Sequence, residues 1–388
     1  MREAYIVGAG QTPFGSFPDR SYRDLFSAAY TAAVESIPEP VAPDRIDEVF
    51  VGTLGVGGRQ IGLAGPAVAT HAGIGDAPTT RVENACASGG SALRSAVEAV
   101  RGGRADLAVA GGVEVMTDVS DDVRRWWLGV SGETEWERLT GATFAGVYAQ
   151  MASAYLDTYD VDREVLSAVT VKNHDNGAKN PAAQLGFSCT LEDAETAPMV
   201  ADPLTLYHCC PTSDGAAVAL VASEDLAGSL RDDPVRVAGV GAGTDSVGVY
   251  DRATLTGIPA AATAADRAYE DAGIEARDVD VAEVHDCFAI AELFAYEDLG
   301  FCERGEAATL IEEDVTALSG DRPVNPSGGL KAKGHPIGAT GTGQAVEAFK
   351  QLTGDAGDRQ VHAADRAVLH NVGGSGGAAV VHVLECGP

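Results

Sequence analysis

Positive charge is scarce in this chain: 27 Lys and Arg stand against 57 Asp and Glu, for a formal net charge of −30. A surface with that excess repels nucleic acid and anionic membranes, so we expect neither as a partner. The acidic residues are scattered and form no single tail. Salt screens such repulsion, because the Debye length falls to about 3 Å at molar ionic strength. The composition therefore predicts a cytoplasmic protein of a halophilic organism.

Long apolar runs and paired metal-type cysteines are also missing. No apolar segment reaches the length of a membrane span, and residues 1–10 are typical of a first strand, without the basic and apolar regions of a signal peptide. The seven Cys are odd in number and lack zinc-site spacing, since Cys209 and Cys210 are adjacent. We expect a reduced protein with no metal.

The glycine-rich loops do not match the common nucleotide-binding motifs. None has the Lys and Ser/Thr of a Walker loop. The loop after the first strand contains Pro13 where a dinucleotide-binding helix would begin. No basic stripe with interleaved aromatics supports nucleic-acid binding.

The 388 residues contain one plan twice. An Ala-rich helix at 23–35 precedes a strand at 49–51, and a helix at 261–272, ended by Gly273, precedes a strand at 281–284. Cys86 opens a helix at 91–101 followed by a strand at 106–113. His335 likewise precedes a helix at 343–352 and a strand at 366–370. This alternation predicts an α/β fold with an active site between two halves.

Residues 117–200 interrupt the duplicated plan. They carry Trp126-Trp127, a helix at 148–157 and polar turns. We interpret them as an insertion that covers the substrate. The predicted division is a first half at 1–116 and 201–255, the insertion at 117–200, and a second half at 256–388.

Candidate catalytic residues lie at the ends of the apolar segments. Cys86 precedes a helix, whose dipole and free N–H groups stabilise a thiolate, although an isolated Cys is more often a buried structural residue. His335, held between Gly and Pro, suits a base or an oxyanion donor; its simpler interpretation is a helix-capping residue. His285 and Cys287 end a buried strand, where ionisable groups favour catalysis. The loop of Asn371 and Gly373 offers bare backbone, or simply a turn.

These loops together resemble the thiolase superfamily over essentially the whole chain. The motifs are Cys-Ala-Ser at 86–88, His-Asp-Cys-Phe at 285–288 and Gly-His-Pro-Ile-Gly-Ala-Thr-Gly at 334–341. The His-Asp-Cys-Phe motif is similar to that of the sterol-carrier-protein-type and archaeal acetoacetyl-CoA thiolases. Ordinary thiolases have a second catalytic Cys where this chain has Asn371. In that branch, Cys287 takes its place.

The resemblance implies a five-layer αβαβα thiolase fold, built from two ββαβα halves with five-stranded sheets, and an inserted loop domain that holds pantetheine. It implies an acyl-CoA C-acyltransferase, specifically an acetyl-CoA C-acetyltransferase that performs reversible Claisen condensation, with no cofactor beyond its CoA thioester substrates. Cys86 becomes the nucleophile and Cys287 the acid/base. His285 and His335 line one oxyanion hole, and the N–H groups of Cys86 and Gly373 line another.

Other functions are also compatible with these motifs. A ketoacyl synthase or a hydroxymethylglutaryl-CoA synthase shares the fold and the nucleophile, and Asn371 stands where a synthase could use it. A non-catalytic acyl-CoA-binding or lipid-transfer subunit is the rival outside catalysis. The resemblance also implies a homodimer or tetramer, a small OB-fold/zinc-ribbon subunit that helps hold CoA, and association with hydroxymethylglutaryl-CoA synthase. The direction of the reaction in lipid metabolism and the acyl chain length are not set by these motifs.

Overall fold

The computed structural model describes residues 2–387. Within that range the strands are β1 (Ala4–Gln11), β2 (Glu48–Gly52), β3 (Thr79–Val82), β4 (Leu107–Glu114), β5 (Met199–Ala201), β6 (Leu204–Thr205), β7 (Gly215–Ser223), β8 (Val235–Thr244), β9 (Val281–Glu283), β10 (Arg366–Gly373) and β11 (Ala378–Cys386).

The α-helices of the same residues are α1 (Tyr22–Glu35), α2 (Ala64–His71), α3 (Ser88–Arg101), α4 (Asp121–Gly129), α5 (Phe144–Tyr159), α6 (Glu164–Gly177), α7 (Leu191–Thr196), α8 (Glu224–Leu230), α9 (Pro259–Ala272), α10 (Ala289–Asp298), α11 (Ala307–Glu312), α12 (Gly329–Lys333) and α13 (Thr340–Thr353). The helices and strands predicted for both halves are all present, with their ends moved by a few residues.

Nine strands form one sheet in the order β3-β2-β4-β7-β1-β8-β11-β10-β9 across residues 2–387. Its two parts repeat one pattern. β2 and β4 are parallel, followed by antiparallel β7 and β1; β9 and β10 are parallel, followed by antiparallel β11 and β8. The parts meet through two residue pairs between β1 and β8. The predicted duplication is therefore confirmed in the strand pairing.

The second part of the sheet departs from the five strands that the resemblance implied. It has four strands, and Val324 forms a single parallel bridge to Ala282 of the edge strand β9. Pro323 and Pro326 flank this bridge. Pro323 O accepts from the N–H of Ala282, but Pro323 has no N–H to donate back to β9, so the ladder does not extend before this bridge.

The helices complete the predicted five layers. α1 packs on β1 and β7 outside the first part, and α9 packs on β8 and β11 outside the second. α3 and α13 lie between the parts and contact each other. At their closest approach, a Cβ on Gly341 would lie 2.2 Å from the backbone nitrogen of Gly90. Glycine at 341 is thus required for the two central helices to bring their N-terminal ends together.

Strand β8 bears on where the first half ends. It pairs with β11 along its whole length but with β1 at only two positions. This pairing places β8 with the second half and favours a boundary between α8 and β8, ahead of the predicted one after residue 255. The predicted ranges also include residues 1 and 388, which lie outside the described residues.

The inserted segment 117–200 contributes α4 to α7 and strand β5. Helices α5 and α6 join the core of the second half, where Tyr148, Tyr155 and Leu166 are fully buried. Between residues 2 and 387, no helix combines the length and the apolar character that crossing a membrane requires.

Candidate active site

Cys86 lies just before α3 on a constrained turn. The preceding residue, Ala85, has a φ of 49°, which a residue other than glycine rarely adopts. The hydroxyl of Ser88 fixes the turn, because it donates to Ala85 O at 2.6 Å and accepts from the N–H of Asn84 at 3.0 Å. The turn places the half-buried Cys86 at the start of the central helix.

The thiol of Cys86 is neutral in these surroundings. Burial raises its pKa to about 12, and the nearby Glu114 carboxylate acts in the same direction. The N–H of Gly374 contacts the sulfur and lowers the pKa, but burial dominates. This rise in the pKa of Cys86 is opposite to the fall that a helix N-terminus alone would cause. The thiol therefore needs an adjacent base to become a nucleophile.

His335 has the tautomer of such a base. Its Nδ1 lies 2.7 Å from Thr340 Oγ1, while that hydroxyl donates its one hydrogen to Pro336 O at 3.0 Å. Thr340 must therefore accept from Nδ1–H, which leaves a lone pair on Nε2. The backbone N–H of His335 is held by Ser213 Oγ at 2.8 Å. Burial lowers the pKa of His335 to about 3, so the imidazole is neutral at pH 7.

Asn371 has one amide orientation that satisfies its neighbours. Its Oδ1 accepts from the N–H of Gly90 at 3.1 Å, and its Nδ2 donates to Cys86 O at 3.0 Å. A flipped amide would direct oxygen at the Cys86 carbonyl and NH₂ at the Gly90 N–H. The second Nδ2 hydrogen points to Nδ1 of His285 at 3.1 Å. Asn371 thus joins the Cys86 turn of the first half to His285 of the second half.

His285 consequently has the opposite tautomer from His335. Its Nδ1 accepts from Asn371, so Nε2 carries the proton. This Nε2 is buried and has no hydrogen-bond partner among residues 2–387. Burial and the two neighbouring imidazoles of His335 and His370 hold the pKa of His285 well below its usual value. A buried N–H without a partner is costly, and it is satisfied when an oxygen atom occupies the space it faces.

Three predicted residues converge at one point. A sulfur of Cys86 and one ring nitrogen each of His285 and His335 all lie within 4.8 Å of one another. The two imidazole centres are 5.1 Å apart at 84°. This arrangement can move a proton from sulfur to nitrogen and can hold an oxygen with an N–H donor. Its soft ligand atoms could also hold a zinc-type cation, and the absence of a metal remains a prediction.

Cys287 lies beside this cluster. The residue is buried, with 6% of its surface exposed. It is close enough to Cys86 that a charge on Cys86 adds to the larger effect of burial in raising the pKa of Cys287. The carbonyl of Cys287 accepts from the N–H of Cys210 at 3.0 Å. The neighbouring Asp286 anchors the loop by accepting from Leu330 N at 2.6 Å.

Gly373, predicted as an oxyanion donor, ends β10 next to this site. A Cβ on it would lie 2.4 Å from Asn84 O, so the Cys86 turn packs directly on its backbone. The N–H that contacts the Cys86 sulfur belongs to the following residue, Gly374. The role of Gly373 stays a prediction, while the adjacent N–H is the one that reaches the sulfur.

Glu114 is a site residue that the sequence analysis missed. It ends the buried strand β4, and its carboxylate accepts backbone N–H bonds at 2.8–3.1 Å from Leu54, Gly55, Val56 and Gly338. Gly338 belongs to the His335 loop of the other half. The one signal in the sequence was an acidic residue at the end of an otherwise apolar run. Burial raises the pKa of Glu114 while these N–H bonds lower it.

The inserted segment supplies an apolar wall. Trp127, Leu128 and Val130 pack with Cys86 against a small buried cluster formed by Leu54, Val56, Met116 and Ile337. The segment also sends Tyr148 to the catalytic loops: its hydroxyl donates to Gly374 O at 3.3 Å. The insertion thus packs against the Cys86 turn and the Gly374 loop, while its covering of the substrate stays a prediction. Tyr148 was not among the predicted residues.

Comparison with known proteins agrees with this geometry. Residues 4–225 match the family model described as thiolase, N-terminal domain, and residues 241–386 match thiolase C-terminal domain-like. The chain is 43% identical over 387 residues to acetyl-CoA acetyltransferase of Methanothermobacter thermautotrophicus, covering 99% of this chain and 100% of that one. It is 33% identical to human sterol carrier protein 2, covering 100% of this chain and 72% of the relative.

Solved structures give the same answer for the fold. The Ltp2-ChsH2(DUF35) aldolase superposes with a TM-score of 0.84 at 25% identity, covering 98% of this chain and 97% of that chain. Human mitochondrial 3-ketoacyl-CoA thiolase superposes with a TM-score of 0.78 at 19% identity, covering 100% and 99%. With both family models matched along nearly the whole chain, this protein belongs to the thiolase family.

Proposed function

We propose that the protein is an acetyl-CoA C-acetyltransferase that condenses two acetyl-CoA molecules, or cleaves acetoacetyl-CoA, through an acyl-enzyme on Cys86. The observation that carries the proposal is the cluster of one thiol with two oppositely protonated imidazoles within 4.8 Å. One imidazole can accept the thiol proton, and the other can donate to a developing oxyanion. The similarity to two archaeal acetyl-CoA acetyltransferases, at 43% and 42% identity, supports this substrate class.

In the first half-reaction, the proton of Cys86 passes to Nε2 of His335. The thiolate attacks the thioester carbonyl of acetyl-CoA, and the C–S bond to CoA breaks. Cys287 gives its proton to the departing CoA thiolate. Cys86 is then an acetyl thioester, Cys287 is a thiolate, and His335 carries N–H on both nitrogens.

In the second half-reaction, the Cys287 thiolate removes an α-proton from a second acetyl-CoA. Nε2–H groups of His285 and His335 hold the enolate oxygen. The enolate carbon attacks the acyl carbonyl, and the C–S bond to Cys86 breaks. The released Cys86 thiolate recovers its proton from His335, so the enzyme returns to its starting state. Two thiols are needed, because one is a thioester when the other must act as base.

The rival condensing reactions differ in the base. A hydroxymethylglutaryl-CoA synthase needs a glutamate base, and a decarboxylating ketoacyl synthase needs no base thiol. Glu114 is engaged by four backbone N–H groups, whereas the Cys287 thiol lies close to Cys86. These contacts favour thiolase chemistry. A non-catalytic acyl-CoA carrier would have no use for the matched tautomers of His285 and His335.

The test is a substrate comparison with purified protein. We expect CoA-dependent thiolysis of acetoacetyl-CoA, seen as loss of the absorbance of its magnesium enolate, and slower condensation of acetyl-CoA. Formation of hydroxymethylglutaryl-CoA from acetyl-CoA and acetoacetyl-CoA, or decarboxylation of malonyl-CoA without thiolysis, would favour a synthase. Binding of acyl-CoA with no turnover would favour the carrier.

We also infer the expected partners and setting. The name of the Ltp2-ChsH2(DUF35) aldolase includes a second component, and this supports an accessory subunit for the present chain. From the thiolase resemblance we further expect that subunit to be a small OB-fold/zinc-ribbon protein, and we expect a homodimer or tetramer and association with hydroxymethylglutaryl-CoA synthase. The net charge of −30 supports a cytoplasmic setting rich in salt. Membership of the thiolase family supports a role in lipid metabolism that needs no cofactor other than CoA thioesters. Size measurement by light scattering, alone and with the candidate subunit, tests the assembly; a lone active monomer would contradict it.

A further inference from the structure

The side-chain amide of Asn371 is held between the two central helices. The residue is 1% exposed. A Cβ on Gly90 would lie 2.8 Å from its Oδ1, and a Cβ on Gly341 would lie 2.2 Å from the same atom. The amide accepts from Gly90 N–H at 3.1 Å and donates to Cys86 O at 3.0 Å. Turning the amide over would lose both hydrogen bonds in a buried place, so its orientation is fixed.

The cluster beside this amide has the atoms of a metal site. One sulfur of Cys86 and one nitrogen each of His285 and His335 lie within 4.8 Å of one another. Nδ1 of His335 faces Thr340 Oγ1 at 2.7 Å. Nδ1 of His285 faces the Asn371 amide at 3.1 Å. Each ring therefore has Nε2 left for the cluster. Zinc binds thiolate at about 2.3 Å and imidazole at about 2.0–2.1 Å, so the cluster would contract by about 1 Å to hold a tetrahedral ion.

The two imidazoles differ as metal ligands, because a nitrogen that binds a metal must offer a lone pair. Nε2 of His335 offers one, since the proton of that ring lies on Nδ1. Nε2 of His285 carries the proton instead, since its Nδ1 accepts from Asn371. A metal-bound histidine almost always donates its other ring N–H to an oxygen. Asn371 presents an N–H at that place, so the cluster has two usable ligands and one N–H that repels a cation.

We propose that Asn371 closes this cluster to soft divalent metal ions, because its amide holds the proton on the one nitrogen that a third ligand would need. Cys86 and His335 can then bind a zinc-type ion only as a pair, with the thiol proton released to water. Two protein ligands hold such an ion weakly, since zinc sites in proteins use three or four. Asn371 thereby keeps the thiol open to its substrate. The proposal concerns metal binding and does not depend on which acyl-CoA reaction the protein catalyses.

The experiment compares full-length wild-type protein with Asn371→Asp and Asn371→Ala. A carboxylate at position 371 accepts from Nδ1–H of His285 and frees Nε2 for a metal, whereas alanine imposes neither tautomer. Co²⁺ is titrated and followed by the thiolate-to-cobalt charge-transfer absorption, which reports only sulfur-bound ion. Zn²⁺ affinity follows from displacement of Co²⁺, and Cys86→Ala gives the background from the other cysteines. X-ray absorption at the zinc edge counts the bound imidazoles, and circular dichroism without metal checks that each variant folds.

We expect Asn371→Asp to bind Zn²⁺ about 100-fold more tightly than wild type, the upper end of what one outer partner of a metal-bound imidazole contributes. Asn371→Ala should lie between the two. X-ray absorption should count one imidazole in wild type and two in Asn371→Asp. Two imidazoles in wild type, or equal affinities in all three proteins, would overturn the proposal. If Asn371→Asp does not fold, Asn371→Ala decides, and an affinity no higher than that of wild type overturns the proposal.

A double variant separates the tautomer from the added negative charge. Asn371→Asp combined with His285→Gln keeps the new carboxylate and lacks the third nitrogen, so its Zn²⁺ affinity should return to near that of wild type. An affinity that stays high in the double variant would assign the gain to charge and contradict the proposal. Metal binding does not require turnover. If the wild-type protein forms no acetyl-enzyme, the proposed function fails on that result, while the zinc affinities still decide the role of Asn371.

Discussion

Asn371 Nδ2 lies 3.1 Å from His285 Nδ1, and this contact sets which nitrogen of the histidine carries its proton. The same amide nitrogen donates to Cys86 O at 3.0 Å, and the amide oxygen is fixed by Gly90 N–H. The amide therefore links the Cys86 turn directly to His285. A cysteine at this position, as in ordinary thiolases, could not make these three bonds.

Asn371→Asp should reverse the tautomer of His285. A carboxylate accepts from Nδ1–H, so the Nε2–H that faces the enolate oxygen is lost. We expect a fall in the rate of condensation and thiolysis of about 100-fold to 1,000-fold, the usual cost of one oxyanion donor. Thiolysis kinetics and ¹⁵N spectra of the labelled imidazoles provide the measurement.

The matched control is Asn371→Ala, which removes the donor without imposing the opposite tautomer. We expect it to be impaired less than Asn371→Asp, since His285 can then still carry its proton on Nε2. If Asn371→Asp keeps activity within about threefold of wild type, the tautomer assignment is wrong.

Buried histidines should make the fold sensitive to mild acid. Burial lowers the pKa of His335, His208 and His382 to about 3 and that of His370 to about 4. The unfolded chain binds these protons near the ordinary value of about 6.5, and the folded chain does not. The stabilisation is complete above pH 6.5 and is lost as the pH falls towards 4 and 3.

His382→Leu isolates one of these protons away from the catalytic loops. His382 lies in β11, and its Nε2 is buried without a partner in the described part of the chain. Between pH 6.5 and 5 the variant should lose about 2 kcal/mol less unfolding free energy than wild type, at about 1.4 kcal/mol per pH unit. Denaturant titrations at several pH values measure the slope. The exposed His362, changed to Gln, serves as control, and an equal slope in both variants would refute the argument.

Salt should stabilise the protein strongly. The net charge of −30 repels itself, and screening shortens that repulsion at molar ionic strength. We expect the thermal unfolding midpoint to rise by roughly 10 °C between 0.1 and 2 M KCl. Sucrose at equal osmolality controls for general solute exclusion. A midpoint that stays constant or falls with KCl would contradict a halophilic origin.

Much of the fold was predictable because its signals are local. Gly273 ends α9 with a φ of 71°, as its place after an Ala-rich helix predicted. Cys86 and His335 open the two central helices, so the duplicated plan was enough to expect them together. The assignment of strands to the two halves was harder to predict. β8 is apolar and could join either half, because its pairing with β11 is a long-range contact that no local pattern encodes.

The site residues that the sequence could not predict depend on such long-range contacts. Glu114 was hidden at the end of an apolar strand, since its four N–H partners come from two distant loops. Tyr148 looked like one more aromatic in an insertion whose docking was unknown. The pKa of Cys86 was expected to be low from the helix dipole, and burial reverses the direction. To predict any of these three features, one has to know where a distant segment of the chain packs.

The proposed mechanism depends most on two separate roles: Cys86 carries the acetyl group, and Cys287 removes the α-proton. Wild-type protein, Cys86→Ala and Cys287→Ala are incubated with acetyl-CoA and examined by intact-protein mass spectrometry, with solvent deuterium exchange into acetyl-CoA as the second readout. We predict an acetyl adduct on wild type and on Cys287→Ala, none on Cys86→Ala, and loss of exchange and condensation in Cys287→Ala. Normal acetylation of Cys86→Ala, or full condensation by Cys287→Ala, would contradict the account.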